Sequence, residues 1–116
     1  MISQDDIDGF RQVSTHGYSY WVEGKILTKG ETRLVENTLG LVGEAGEVAE
    51  KVKKLLRDKS KINPSEIVKE LGDVAFYLTA LANYFNSNLD EVLDTNMQKL
   101  NDRQSRGVLS GSGDNR

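Results

Sequence analysis

The sequence predicts an all-α domain. A single proline, Pro64, interrupts 116 residues, strand-like alternation of β-branched residues is scarce, and apolar side chains return at helical spacing along several stretches. The length suits one domain near the lower limit for burying a self-sufficient core, a limit that oligomerisation would relieve.

Cysteine is absent, which excludes disulfides and thiolate metal sites. No apolar run approaches the roughly 18 residues of a membrane span, and no basic and apolar leader is present, so a cytoplasmic protein is expected. The formal net charge is −3, from 15 basic and 18 acidic residues. These charges are interleaved along the chain, without the basic stripe of a nucleic-acid binder. A small anionic substrate remains possible if metal ions or a few local cations receive it.

The first helix is expected to begin near Ser3, where the acids of SQDDID suit the positive end of the helix dipole. Ile7, Phe10 and Val13 give it a short stripe, and it should end close to His16 and Gly17. Periodicity fades over residues 18–30, where Tyr18, Tyr20 and Trp21 stand near glycines, so a loop or broken helix is expected there. His16 then reads as a loop or capping residue. Thr28 and Glu31 make a capping-box pattern that would open a long helix over residues 31–57.

On that long helix Leu41, Val42, Ala45, Val48, Ala49, Val52, Leu55 and Leu56 fill one apolar arc. Glu44, Glu47, Lys51 and Lys54 border the arc on one flank, whereas Glu50, Lys53 and Arg57 lie away from it. Gly40, Gly43 and Gly46 each cost about 1 kcal/mol relative to Ala in a helix interior. Their presence points to close approach by another backbone or a ligand.

A short polar connection over residues 58–63 leads to Asn63-Pro64-Ser65-Glu66, which combines a capping side chain, proline in the first turn and an acid three residues after the cap. The helix it opens should run to about residue 85. Its stripe of Ile67, Val68, Leu71, Val74, Ala75, Leu78, Leu81 and Ala82 is flanked by Glu70, Asp73, Tyr77 and Tyr84. Residues 86–88 form a turn, and Asn88 with Glu91 caps a last helix striped by Leu89, Val92, Leu93, Met97 and Leu100. Asn96 falls inside that arc, where an amide needs a partner, and Lys99 and Arg103 continue its side. The helical domain takes in residues 1–104. Residues 105–116, rich in Gly and Ser, form a tail that is either disordered or laid against a neighbouring subunit or the substrate.

Glu44 and Glu47 project from one helix face one turn apart, and Glu70 and Asp73 repeat that spacing. Either pair alone reads as solvated charge. Two pairs, each beside the stripe of its own helix and joined by a short connection, would converge four carboxylates when the helices pack side by side. Four like charges need cations, so the pattern is that of a divalent-metal site. His16, the only histidine, lies in neither helix, so the Glu-x-x-His pattern of bundle di-iron sites is missing. An all-oxygen set prefers Mg²⁺ or Mn²⁺ to Zn²⁺ or Fe²⁺, and Mg²⁺ with open water positions is a typical partner of polyphosphate. Lys51, Lys54, Lys99 and Arg103 are then phosphate-neutralising candidates, with Tyr77 and Asn96 as hydrogen-bond donors; for the lysines, helix-surface charge is an equal reading. Tyr20 and Trp21 offer faces on which a base stacks, or serve as core anchors.

The stretches GLVGEAGEVAEKVKK, ELGDVAFYL, NMQKLNDR and RGVLSGSGDNR, together most of residues 38–116, resemble the MazG-like all-α nucleoside triphosphate pyrophosphohydrolases. The specific part is E-x-x-E followed by E-x-x-D at this separation. The resemblance implies a four-helix core that dimerises, often into a dimer of dimers. It implies hydrolysis of a nucleoside or deoxynucleoside triphosphate to the monophosphate and pyrophosphate. It matches Glu44, Glu47, Glu70 and Asp73 to metal ligands and Tyr77, Asn96 and Lys99 to phosphate contacts. Residues 16–31 match no motif, which leaves the base open.

On that footing two or three Mg²⁺ ions, with Mn²⁺ as substitute, bridge the carboxylates and the triphosphate; water attacks the α-phosphorus in line, and Glu47 or Glu44 helps to deprotonate it. The stacking surface of Tyr20 and Trp21 leans toward a purine such as dGTP. The competing expectations are hydrolysis of another phosphorylated metabolite such as phosphoribosyl-ATP, and a non-catalytic helical adaptor whose acids are surface charge.

Overall fold

A computed structural model describes residues 13–58 and 63–107. Those residues form four α-helices, α1 (Thr15–Lys25), α2 (Gly30–Asp58), α3 (Pro64–Tyr84) and α4 (Leu89–Ser105), so the domain is all-α. α2 and α3 make the most extensive helix–helix contact, while α1 and α4 pack on each other and on α3 without lying against the α2 backbone. Gly40 abuts Tyr77 whereas Lys51 reaches Glu70, so α2 and α3 run antiparallel as a hairpin.

The start of α1 corrects the sequence reading. Residues 3–12 of the expected first helix lie outside the described residues, but its expected end at His16 and Gly17 is the first turn of α1. The loop or broken helix expected over residues 18–30 is helical as far as Lys25. Ser14 is the reason. Its backbone is extended, and its Oγ accepts the Gly17 N–H at 2.9 Å, which caps the new helix. A Cβ on Gly17 would lie 2.9 Å from that Oγ, so this glycine serves the cap rather than ending a helix. The periodicity fades because the inward residues of α1 are Ser19 and Val22, one of them polar.

α2 starts with the Lys29 carbonyl accepting the Arg33 N–H at 3.2 Å, one residue later than a Thr28 cap would place it. The other starts match their signals. Asn63 accepts from the Ser65 N–H at 3.0 Å with Pro64 behind it, and Asn88 accepts from the Glu91 N–H at 2.8 Å. Glu91 itself takes the Ser87 hydroxyl at 2.8 Å. The turn before α4 places Asn86 at φ 59°, a left-handed conformation that Asn tolerates. After α4, Gly107 at φ 72° follows the C-cap Arg106 in the position where glycine commonly closes a helix.

The core lies where α1, α3 and α4 meet, around Val22, Thr79, Ala80 and Ala82. Hydrogen bonds tie this junction. The Ser19 hydroxyl accepts the Leu89 N–H at 3.1 Å, and the Asn83 amide donates to the Ser19 carbonyl at 3.0 Å. The Thr15 hydroxyl donates to Asp90. Arg33 fastens the beginning of α2 to it: two N–H groups meet the two Glu23 carboxylate oxygens at 2.7 Å each, and one also reaches the Ala80 carbonyl at 3.1 Å. The same guanidinium faces the Tyr84 ring at 5.9 Å.

The apolar arcs of the hairpin are only partly used by this core. Leu41, Val48 and Leu55 are half-buried, whereas Val42, Val52, Leu56, Val68 and Leu71 face outward. No described helix is long and apolar enough to cross a membrane.

Candidate metal centre

Antiparallel packing of α2 on α3 sets Glu44 opposite Glu70 and Asp73. One carboxylate oxygen from each lies within 4.8 Å of the other two. Oxygens bound on opposite sides of one Mg²⁺ are about 4.2 Å apart, so a small side-chain adjustment suffices for a shared ion. Glu44 and Glu70 are half-buried and Asp73 is exposed. Lost hydration raises the Glu44 carboxyl above its ordinary range, aided by a hydrogen bond shared with Glu70 and by the charges of Asp73, Glu70 and Glu47. A divalent cation relieves that repulsion, and the donor set, all oxygen, suits a hard one.

Glu47 stands one turn beyond Glu44, exposed, and is not in the close trio; its charge still reaches Glu44. The Lys51 ammonium is 4.0 Å from Glu70, a counter-charge at the edge of the trio, and Lys54 is exposed. Tyr77 follows Asp73 by one turn and is half-buried, edge-on to Phe76 at 5.4 Å. A Cβ on Gly40 would come within 2.4 Å of the Tyr77 ring, so the close approach expected of these glycines is made by a side chain rather than a backbone. Around Gly43 and Gly46 the chain leaves open space, with nothing within 4 Å of a built Cβ.

The remaining candidates do not join the trio within one chain. Asn96 and Lys99 line a surface cavity of about 320 Å³ with Ser87 and Glu91, built from α4 and the turn before it without a residue of the trio. Asn96 is exposed, contrary to its expected place in a buried arc, because Leu93 and Met97 beside it are exposed too. Arg103 is only 3% exposed, and it and Lys99 are engaged by partners within the fold. Trp21 meets Phe76 edge-on at 6.1 Å, while Tyr20 packs edge-on against His16 at 5.0 Å. His16 sits 3.8 Å from the Asp90 carboxylate, in the first turn of α1.

One neighbour of the trio escaped the sequence reading. Burial and then the negative charge of Asp73 raise the Tyr18 hydroxyl above its ordinary value, so α1 carries a phenol within the electrostatic reach of Asp73. Tyr18 also stacks on Trp21 at 5.6 Å. Their i, i+3 spacing was the available signal, hidden by reading residues 18–30 as a loop.

Fold and site together define a small all-α protein with an acid trio shared across a helical hairpin. The MazG nucleotide pyrophosphohydrolase domain matches residues 34–108, and the chain belongs to that family. It is 52% identical over 83 residues to the "Gene 37 protein" of Mycobacterium phage L5, an overlap covering 68% of this chain and 73% of that relative. No solved structure matches it. The family is one of nucleotide pyrophosphohydrolases that generally use a divalent metal, and the trio is compatible with one. The matched region begins inside α2, so α1 with Tyr18, Tyr20 and Trp21 precedes it.

Proposed function

We propose that this chain hydrolyses nucleoside or deoxynucleoside triphosphates to the monophosphate and pyrophosphate, with Glu44, Glu47, Glu70 and Asp73 holding two or three Mg²⁺ ions that Mn²⁺ replaces. The observation that carries the reading is the convergence of Glu44, Glu70 and Asp73 to within 4.8 Å. The cations supply neutralisation of the triphosphate and acidify coordinated water. Glu47, exposed beside the trio, takes the proton of the attacking water, with Glu44 as the alternative base. The new bond forms from water oxygen to the α-phosphorus, the bond to the α,β-bridging oxygen breaks, and pyrophosphate departs. Lys51 and Lys54 neutralise phosphate charge from α2, and Tyr77 donates a hydrogen bond.

Asn96 and Lys99 contribute from a second copy in a homodimer or a dimer of dimers, whereas Arg103, 3% exposed, stays within its own fold. Two observations support this: Asn96 and Lys99 line a cavity that takes no residue from the trio, and the hairpin exposes Val42 to 65%, with Leu56, Val68 and Leu71 also outward. Tyr20 and Trp21, both exposed on α1, offer a stacking face to a purine such as that of dGTP. The enzyme is cytoplasmic in this reading, its catalytic domain is residues 1–104, and residues 105–116 touch a neighbouring subunit or substrate. Of that tail, residues 108–116 lie outside the described residues.

Pyrophosphate release from the eight common NTPs and dNTPs, with Mg²⁺ and with a chelator, tests the reading. Chelator-sensitive release from at least one is the expected result. Turnover of phosphoribosyl-ATP alone would move the substrate to another metabolite, and no turnover with no Mg²⁺-dependent stabilisation would leave a helical adaptor.

A further inference from the structure

On α2, two turns before Glu44, Asn37 is 4% exposed and its Oδ1 has no hydrogen-bond partner among the described residues. A buried amide oxygen left unpaired is costly, and a native fold that keeps one calls for an explanation. Asn37 lines a cavity of about 580 Å³ together with Glu36, Phe76, Tyr77, Lys25 and Leu27. That volume falls within the range of about 300–1,000 Å³ typical of small-molecule sites. Two of its walls are aromatic, Phe76 and Tyr77, set at 88° to each other.

The cavity adjoins the acid trio. Tyr77 follows Asp73 by one turn of α3, and seven residues of α2, about 10.5 Å, separate Asn37 from Glu44. A nucleotide with its α-phosphate at the trio would extend its base toward Asn37.

We infer that Asn37 is a base-reading residue, its side-chain amide pairing with the hydrogen-bonding edge of a nucleobase seated in this cavity against one of its aromatic walls, which replaces Tyr20 and Trp21 as the stacking surface for the base. The inference rests on the nucleotide reading of the trio. Oδ1 accepts a base N–H while Nδ2 donates to the adjacent ring nitrogen or carbonyl, and the soft terminal torsion of Asn lets the amide turn to meet them. A site built around such a pair rejects ligands that lack the matching edge far more strongly than an apolar slot does.

The test is equilibrium binding of non-hydrolysable analogues of the eight nucleotides, and of inorganic triphosphate, to the whole chain in Mg²⁺, alongside pyrophosphate release. Wild type should separate its best and worst nucleotides by at least about tenfold. Asn37→Leu should collapse that spread while leaving the affinity for inorganic triphosphate in place. Asn37→Asp, whose carboxylate accepts two N–H groups, should move the ranking toward guanine, which presents two. A wild-type protein without discrimination, or a ranking unchanged in Asn37→Leu, overturns the inference; if Asn37→Leu loses its helix content, an unchanged ranking in Asn37→Asp does so instead. Nucleotides that bind with discrimination but release no pyrophosphate would defeat the hydrolase reading and leave the base site standing. Absence of nucleotide binding would defeat both.

Discussion

The α2–α3 hairpin and the junction of α1, α3 and α4 are built on opposite terms. At the junction most charged and polar groups meet partners: Arg33 with Glu23 and the Ala80 carbonyl, Ser19 with Leu89, and Asn83 with Ser19, with the Arg33 Nε left unpaired among the described residues. Arg33 holds the Glu23 carboxyl below its ordinary range. Along the hairpin like charges are gathered instead, apolar side chains face outward, and Gly43 and Gly46 border open space. Satisfied networks specify a structure, whereas unresolved charge and uncovered surface mark where a ligand or second copy completes it. Substitutions at the junction should therefore cost stability, and those of the hairpin's acids should cost function.

The largest effect tests the hairpin. Glu47→Gln and Glu44→Gln should each lower pyrophosphate release by at least about 100-fold, with helix content by circular dichroism unchanged. Substantial residual turnover in Glu47→Gln would remove it from the base role.

Next comes the junction. Arg33→Ala leaves Glu23 without its bidentate partner and should destabilise the fold by about 2 kcal/mol in urea unfolding. The rise in melting temperature on adding Mg²⁺ should survive. Loss of that rise in a folded Arg33→Ala protein would show that the two regions are not separable.

Within the hairpin, two glycines should move in opposite directions. Gly40→Ala drives a methyl into the Tyr77 ring and should cost about 1–3 kcal/mol. Gly43→Ala meets no neighbour and should gain up to about 1 kcal/mol from helix propensity. Chemical denaturation of both settles the matter, and a destabilised Gly43→Ala would mean that another molecule covers that face.

The smallest effect is in pH. Because the folded state raises Glu44 above its unfolded value, it holds that proton more tightly than the unfolded chain does. The associated stability is present below the unfolded value and is lost as pH rises through the raised one. Mg²⁺ binds the deprotonated carboxylate, so its stabilisation should be smallest at the acid end and grow across that window. Thermal melts with and without Mg²⁺ measure this, and Glu44→Gln should flatten the dependence.

Legibility differed between helices for identifiable reasons. Asn63-Pro64 and Asn88 announced the starts of α3 and α4 because a cap acts on N–H groups two or three residues away. Ser14 carries an equally good cap, but the weak stripe behind it, with Ser19 turned inward, let the aromatics and glycines of residues 18–30 read as a loop or broken helix. Asn96 misled in the other direction. Its wheel position put it among apolar residues, yet Leu93 and Met97 are exposed beside it.

The sequence by itself determined the all-α class, two of the three helix-capping side chains, and the two acid pairs, because periodicity and capping are settled by energies that act within a few residues. The tertiary structure decided which acids meet. Glu44 converges with Glu70 and Asp73 while Glu47 stands aside, Asn96 and Lys99 line a separate cavity on α4, and Asn37 is shut into the wall of another. Those outcomes depend on the rotation and axial offset of α2 against α3. Contacts between residues far apart in the chain, such as Gly40 under the Tyr77 ring and Arg33 on the Ala80 carbonyl, fix both.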